Sequence, residues 1–65
     1  MTTRREFIRT AKIVKAMLDA ANGMVSDDKY TAIAQLKTVA SQFADEYQND
    51  NPRFDRERFM SACGF

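Results

Sequence analysis

Histidine and tryptophan are absent from this chain, cysteine and proline occur once each, and glycine only twice. Each scarcity removes a class of explanation. Without histidine, and with Cys63 as the single thiol, the usual structural zinc ligand sets cannot be assembled, and the commonest general base of enzymes is missing. A lone cysteine also excludes an intramolecular disulfide framework, which is compatible with a reducing compartment. No apolar run approaches the roughly 20 residues of a membrane-spanning helix. The stretch from Met1 to Arg9 has basic residues but no continuous apolar run behind them, which argues against a secretory signal. The expected location is the cytoplasm, with no membrane partner.

No glycine-rich phosphate loop, Walker lysine or calcium loop is present, so neither a cofactor nor a metal is expected. Most of the carboxylates Glu6, Asp19, Asp27, Asp28, Asp45, Glu46 and Glu57 fall at expected helix starts or polar faces, where capping and solubility account for them. Cys63 could in principle serve as a nucleophile, but it has no histidine to activate it and sits near a helix C-terminus, where the dipole disfavours a thiolate. A small packed side chain is its simpler role. No catalytic residue is assigned, and enzyme activity is not expected.

What the chain does have is helical patterning over a length of 65 residues. That length allows one domain, 1–65, with a thin core, because a chain this short buries only roughly 60% of the surface its unfolded form exposes. At this size burial and ordering entropy nearly cancel, so a second chain is the natural source of further buried surface. A homo-oligomer, and first of all a dimer, is therefore the expectation.

The longest patterned segment runs from Asp27 to Gln48 without glycine or proline. Tyr30, Ile33, Leu36, Ala40, Phe43, Ala44 and Tyr47 fall on one broad face, flanked by Ala32 and Val39, with Thr31, Gln35, Thr38, Gln42 and Asp45 opposite. Ser26 is the expected N-cap, with Asp27 and Asp28 complementing the helix dipole and Val25 and Tyr30 placed as a hydrophobic staple. At the far end, Pro52 lacks an amide donor and pushes Asn51 toward extended geometry, which breaks the helix.

An earlier helix is expected to open on a capping box at Thr3 and Glu6. Its buried stripe is Phe7, Ala11, Val14, Leu18 and Ala21, and it should end at Gly23 in a left-handed cap. The short connection to the long helix predicts an antiparallel pair. Ile8 and Ile13 lie off the stripe and Met17 at its margin, so these three are candidate dimer or partner contacts. Arg5, Arg9 and Lys12 occupy a further face, with Arg4 and Lys15 at its edge. The bland reading is a solvated face, its long stems covering apolar surface. The sharper one is contact with a polyanion backbone or an acidic protein. No aromatic residues interleave with these charges, which weakens a single-strand model.

Net charge is +1, but it is unevenly spread. Residues 1 to 24 carry Arg4, Arg5, Arg9, Lys12 and Lys15 against Glu6 and Asp19, a balance of +3. Residues 25 to 49 carry Lys29 and Lys37 against Asp27, Asp28, Asp45 and Glu46, a balance of −2. Such an asymmetry can orient subunits or partners.

Past Pro52, Phe54 precedes Asp55, an expected N-cap, and Phe59 follows at staple distance, predicting a third helix from Arg56 to about Cys63. Gly64 supplies a left-handed terminator, and Phe65 falls where a Schellman motif puts its apolar contact, against Phe59 or Met60. Phe54, Asp55, Phe59, Met60, Gly64 and Phe65 thus read as a structural clamp over the end of the helix pair, or alternatively as a docking tail. Arg53, Asp55, Arg56, Glu57 and Arg58 alternate in charge and can pair locally.

Two turns invite a helix-turn-helix reading: Asn22 to Ser26, and the Pro52 junction with Arg53, Arg56 and Arg58. The first is followed by a helix much longer than a recognition helix, and neither is a strong match.

The run Asn51, Pro52, Arg53, Phe54, Asp55, Arg56, Glu57, Arg58, Phe59, followed by Ala62, Cys63 and Gly64, resembles the C-terminus of a group of short, mostly uncharacterised helical proteins encoded by phages, prophages and plasmids. The helical body before it resembles them more loosely. That resemblance implies an accessory protein of a mobile element acting through contacts, and it brings no catalytic or binding role to any residue.

Together these readings predict an all-α fold: an antiparallel two-helix hairpin, a short third helix across one end, and a second copy alongside. The expected function is a non-enzymatic interaction or accessory protein with a host or phage protein as partner. The alternative is a small dimeric DNA-binding regulator using the basic face of the first helix, and a component of a larger assembly is a third option.

Overall fold

In the computed structural model, which describes residues 4–65, the chain is all-α. Three helices follow one another: α1 (Arg4–Asn22), α2 (Asp28–Asp50) and α3 (Arg56–Cys63). Among the described residues there is no strand. Thr3, half of the expected capping box, lies outside the described residues.

α1 buries Ala11, Val14, Leu18 and Ala21, and Phe7 packs half-buried at the head of that stripe. These five positions recur at helical spacing and are the ones the apolar pattern marks. α2 buries a narrower face than its pattern suggests, namely Leu36, Ala40 and Ala44. Tyr30 is 72% exposed and Phe43 40%. Ala11, Val14, Ala40 and Ala44 join Phe54, Phe59 and Cys63 in one cluster, and Leu18, Ala21 and Leu36 form a second. Alanine at the contacts of α1 and α2 lets the helices approach closely, which leaves little room between them and moves the bulk of the core to the side where α3 lies.

Both connections deserve a residue-level account. Around residue 23 the expected left-handed cap is not used. Gly23 does not take a positive φ; its amide donates to the carbonyls of Asp19 and Ala20, and the Met24 amide donates to Ala21. The last turn tightens into three-residue bonds that satisfy the terminal carbonyls without a left-handed residue. The start of α2 differs as well. Its N-cap is Asp27, in helical geometry (φ −63°, ψ −20°) and without a side-chain cap bond. Side-chain capping needs an extended backbone at that position. Here the Lys29 amide instead donates to the Ser26 carbonyl, 3.1 Å away. The Val25–Tyr30 staple is accordingly not formed, since Val25 is fully exposed and Tyr30 largely so.

The second connection follows the sequence closely. Asn51 is extended (φ −141°, ψ 103°) and its amide still donates to Tyr47. Its side-chain oxygen accepts from the Arg53 amide at 3.1 Å, an Asx turn that carries the chain past Pro52. Asp55 then caps α3 by accepting from the Arg58 amide at 3.0 Å. Phe54 and Phe59 are both buried, with ring centroids 5.6 Å apart, so this staple is made. At the other end Gly64 has φ +101°. The Phe65 amide donates to Met60 and the Gly64 amide to Ser61, each at 3.0 Å, the paired bonds of a Schellman motif.

The position of α3 is not the one expected. Instead of crossing one end, it lies lengthwise against the other two helices: Phe54 meets the Phe7 ring at 4.6 Å, while Gly64 comes against Leu18. Phe65 reaches beyond Phe59 and Met60 to touch both clusters. The stripe of Phe59 and Cys63, one helical turn apart, is what this lengthwise seat buries. Arg56 also leaves the local charge run and pairs with Asp45 of α2, with a second bond to the Ser41 carbonyl at 3.4 Å. Such an exposed pair contributes about 0–1 kcal/mol.

The two glycines should respond oppositely to alanine. A Cβ on Gly64 would stand 2.7 Å from Leu18 Cδ2 at a backbone angle that L residues rarely adopt. Gly64→Ala is expected to cost about 1–3 kcal/mol from the backbone angle alone, read as a lower midpoint in a circular-dichroism melt. Gly23→Ala meets only ordinary contacts and should be neutral or stabilising by up to about 1 kcal/mol. An unchanged melt for Gly64→Ala would refute this account of the terminus.

Candidate functional site

α1 has four functionally distinct sides, set by about 100° of rotation per residue. The side of Phe7, Ala11, Val14 and Leu18 faces the core. Arg5, Arg9 and Lys12 are all exposed and form a ridge within an arc of about 60°. Arg4 and Lys15 flank that ridge and are exposed too.

The three apolar candidates on α1 do not share a surface. Ile8 lines a groove between α1 and α3, together with Arg4, Phe7 and Ala11 from α1, Arg53, Phe54 and Asp55 from the connection, and Arg58, Phe59 and Ala62 from α3. Its volume is about 350 Å³. Met17 lies about 180° round the helix from Ile8, in a shallow depression between α1 and α2 shared with Met24, Ala32, Leu36 and Val39. Ile13, 63% exposed, is one turn before Met17 on that second side. Grouping Ile8 with Ile13 and Met17 as one contact surface is therefore not what the fold produces.

The groove gathers residues that the sequence order keeps apart. Arg4 belongs to the first helical turn, whereas Arg53 and Arg58 bracket the start of α3, and all three line the same opening. Nothing in the sequence signals this meeting, because it depends on α3 docking along α1. Arg56, the middle arginine of the C-terminal run, is directed to Asp45 instead. Arg56 is thus turned toward α2 while Arg53 and Arg58 line the groove. Thr10 and Tyr47 make a further link the sequence does not announce, a hydroxyl–hydroxyl bond of 2.6 Å.

For catalysis the arrangement offers little. Among the described residues no charged or polar side chain is buried, and no three His, Cys, Asp or Glu side chains sit together as metal ligands would. Asp55, the carboxylate that lines the groove, caps α3, and Asp45 is paired with Arg56. Cys63 is fully buried, and that burial pushes its thiol up from the ordinary value of 9.0. Cys63 packs with Phe54 and Phe59 in the core cluster.

No family model matches the chain, and neither a curated protein nor a solved structure matches it. Among the described residues no helix is long and apolar enough to cross a membrane.

A raised thiol value in the folded state has a definite sign. The unfolded chain loses its thiol proton first, so the contribution of Cys63 is fully present below the unfolded value and is lost as pH rises through it toward the folded one. Wild type should therefore lose stability above about pH 9 more steeply than Cys63→Ala, measured as urea midpoints across an alkaline series. Parallel slopes for the two proteins would show that folding does not raise the value of this thiol.

Proposed function

We propose that this chain is a non-enzymatic protein-interaction module, an accessory protein of a phage or other mobile element, that works in the cytoplasm as a homodimer. The observation that carries this reading is that the α1–α2 pair is covered on one side alone. Ser41 and Asp45, which meet α3 through Arg56, lie about 200° round α2 from Val39 and Phe43. On that far side Ile13, Met17, Val39 and Phe43 are 63%, 54%, 42% and 40% exposed.

In this reading α1 and α2 form an antiparallel hairpin. Supporting it, Phe7 and Thr10 meet Tyr47 near one end, and Leu18 and Ala21 join Leu36 toward the other. A two-fold axis that sets α1 of one copy against α2 of the next covers the bare side of both. It also brings the half with a balance of +3 beside the half with −2, the complementarity that steers subunits into one orientation.

Size-exclusion chromatography with light scattering tests the proposal. Wild type should run as a dimer, and the double variant Met17→Glu, Val39→Glu as a folded monomer, since both sites are exposed within one copy. A monodisperse wild-type monomer at high micromolar concentration, with an intact cooperative melt, would end the dimer reading. Growth beyond a dimer would instead favour a component of a larger assembly.

The second reading, a small dimeric DNA-binding regulator, is favoured by the exposed ridge of Arg5, Arg9 and Lys12. Six phosphate contacts from a dimer predict an affinity for duplex DNA that falls about 10³-fold between about 50 and 200 mM salt. Replacing the three residues with Gln should flatten that slope. Duplex binding that is absent at low salt, or indifferent to the triple variant, would leave the interaction-module reading alone.

A further inference from the structure

We infer that the groove between α1 and α3 is a docking site for a short acidic segment of a partner protein, one that carries an apolar side chain among its carboxylates. The inference rests on the interaction-module reading and gives it a partner chemistry.

Charge argues first. Arg4, Arg53 and Arg58 line the opening. The one carboxylate among the lining residues, Asp55, already accepts the Arg58 amide as the cap of α3. The groove is therefore cationic, and its cations are guanidinium groups, which bind carboxylates with paired, directional hydrogen bonds. Arginine clusters are a recurrent device for reading acidic motifs.

The floor argues second. Ile8 is 56% exposed there, beside the half-buried Phe7. At about 350 Å³ the space suits one or two side chains, near the lower end of ligand pockets at about 300–1,000 Å³. A ligand made only of charge would leave Ile8 wet. A segment alternating acidic and apolar residues satisfies both features.

Nucleic acid fits this groove less well. Single-strand binding uses open aromatic faces for bases to stack on. Phe54 and Phe59, the rings behind the groove, are only 7% and 4% exposed. The ridge of Arg5, Arg9 and Lys12, suited to following a phosphate backbone, is centred about 70° round α1 from Ile8, and none of the three lines this groove.

The probe is a short fluorescein-labelled peptide alternating Glu with Leu and Phe, titrated with the full chain and followed by anisotropy at physiological salt. Companion peptides replace Glu by Gln, or Leu and Phe by Ser, and a labelled single-stranded DNA serves as the competing class. Wild type should bind the acidic peptide saturably. The double variant Arg53→Gln, Arg58→Gln should weaken binding by about tenfold or more, the scale of one or two charge-assisted bonds. Ile8→Ser should weaken it several-fold, and Arg5→Gln, Arg9→Gln should leave it unchanged. Melts of each variant establish that the fold is intact.

Equal affinity for the Glu and Gln peptides would overturn the proposal, as would full affinity in the Arg53, Arg58 variant. So would DNA bound through those two arginines, or self-association lost with them, since each names a different occupant. The Met17→Glu, Val39→Glu variant keeps the two readings distinguishable. Peptide bound by a wild-type monomer would sink only the dimer, peptide bound by the monomeric variant would leave both readings standing, and a wild-type dimer that ignores every peptide would sink only the groove.

Discussion

Four aromatic rings drawn from every helix and from the connection between two of them hold this fold together. Phe7 of α1, Tyr47 of α2, Phe54 before α3 and Phe59 within it stand with ring centroids 4.6 to 5.6 Å apart. All are tilted or edge-on, the geometries that place positive ring edges on negative faces. Each such pair adds about 0.5–1.5 kcal/mol to the burial of its rings. In a chain this short, where burial and ordering entropy nearly cancel, such increments weigh heavily in docking the short third helix. Tyr47 sits at the centre of the group, meeting Phe7, Phe54 and Phe59, and its hydroxyl is held by Thr10. The polar end of the ring thereby finds a partner at the margin of the cluster.

The small side chains follow from the same constraint. Ala11, Ala40, Ala44 and Cys63 are buried together with the rings. Alanine contributes little apolar area of its own, but it permits the close approach of α1 and α2 that leaves a seat for Phe59 and Cys63. Larger residues there would push the helices apart and open the ring cluster. Volume is thus concentrated at one side and one end, and the Schellman turn at Gly64, pressed on Leu18, closes the other end of that seat.

Patterns contained within a single helix or turn were legible in the sequence. The stripe of α1, the break at Asn51 and Pro52, the Asp55 cap, the Phe54–Phe59 staple and the bounds of α3 all depend on neighbours a few residues away. The miss at Gly23 has a local cause of a different kind. A helix can also end by tightening its last turn, and composition does not say which route is taken. Ser26 was the expected cap, but the helix starts one residue later, from Asp27, without a side-chain cap bond. What the sequence could not place was α3 relative to α1. An eight-residue helix, about 12 Å long, can lie across an end or along a groove with the same local signals, and only the fit of Phe59 and Cys63 against Ala11 and Ala40 discriminates. For that reason the meeting of Arg4 with Arg53 and Arg58 was hidden. The separation of Ile8 from Met17 is different, since nine residues of helical rotation already put them on opposite sides of α1.

Docking α3 lengthwise has one consequence for both proposed interactions. It consumes one side of the helix pair, and the same packing that buries Phe54 and Phe59 raises Arg53 and Arg58 around Ile8. Had α3 crossed the end, Arg4 would face no other arginine and no groove would exist. Among the described residues no helix covers the far side of the pair, where Met17 and Val39 are exposed. A partner segment and a second copy would therefore meet different sides of α1, about 180° apart as Ile8 and Met17 are. The core lies between them. Any influence of one contact on the other must then pass through the packing of α1, whose position is fixed by Phe7 in the ring cluster and by Leu18 under Gly64.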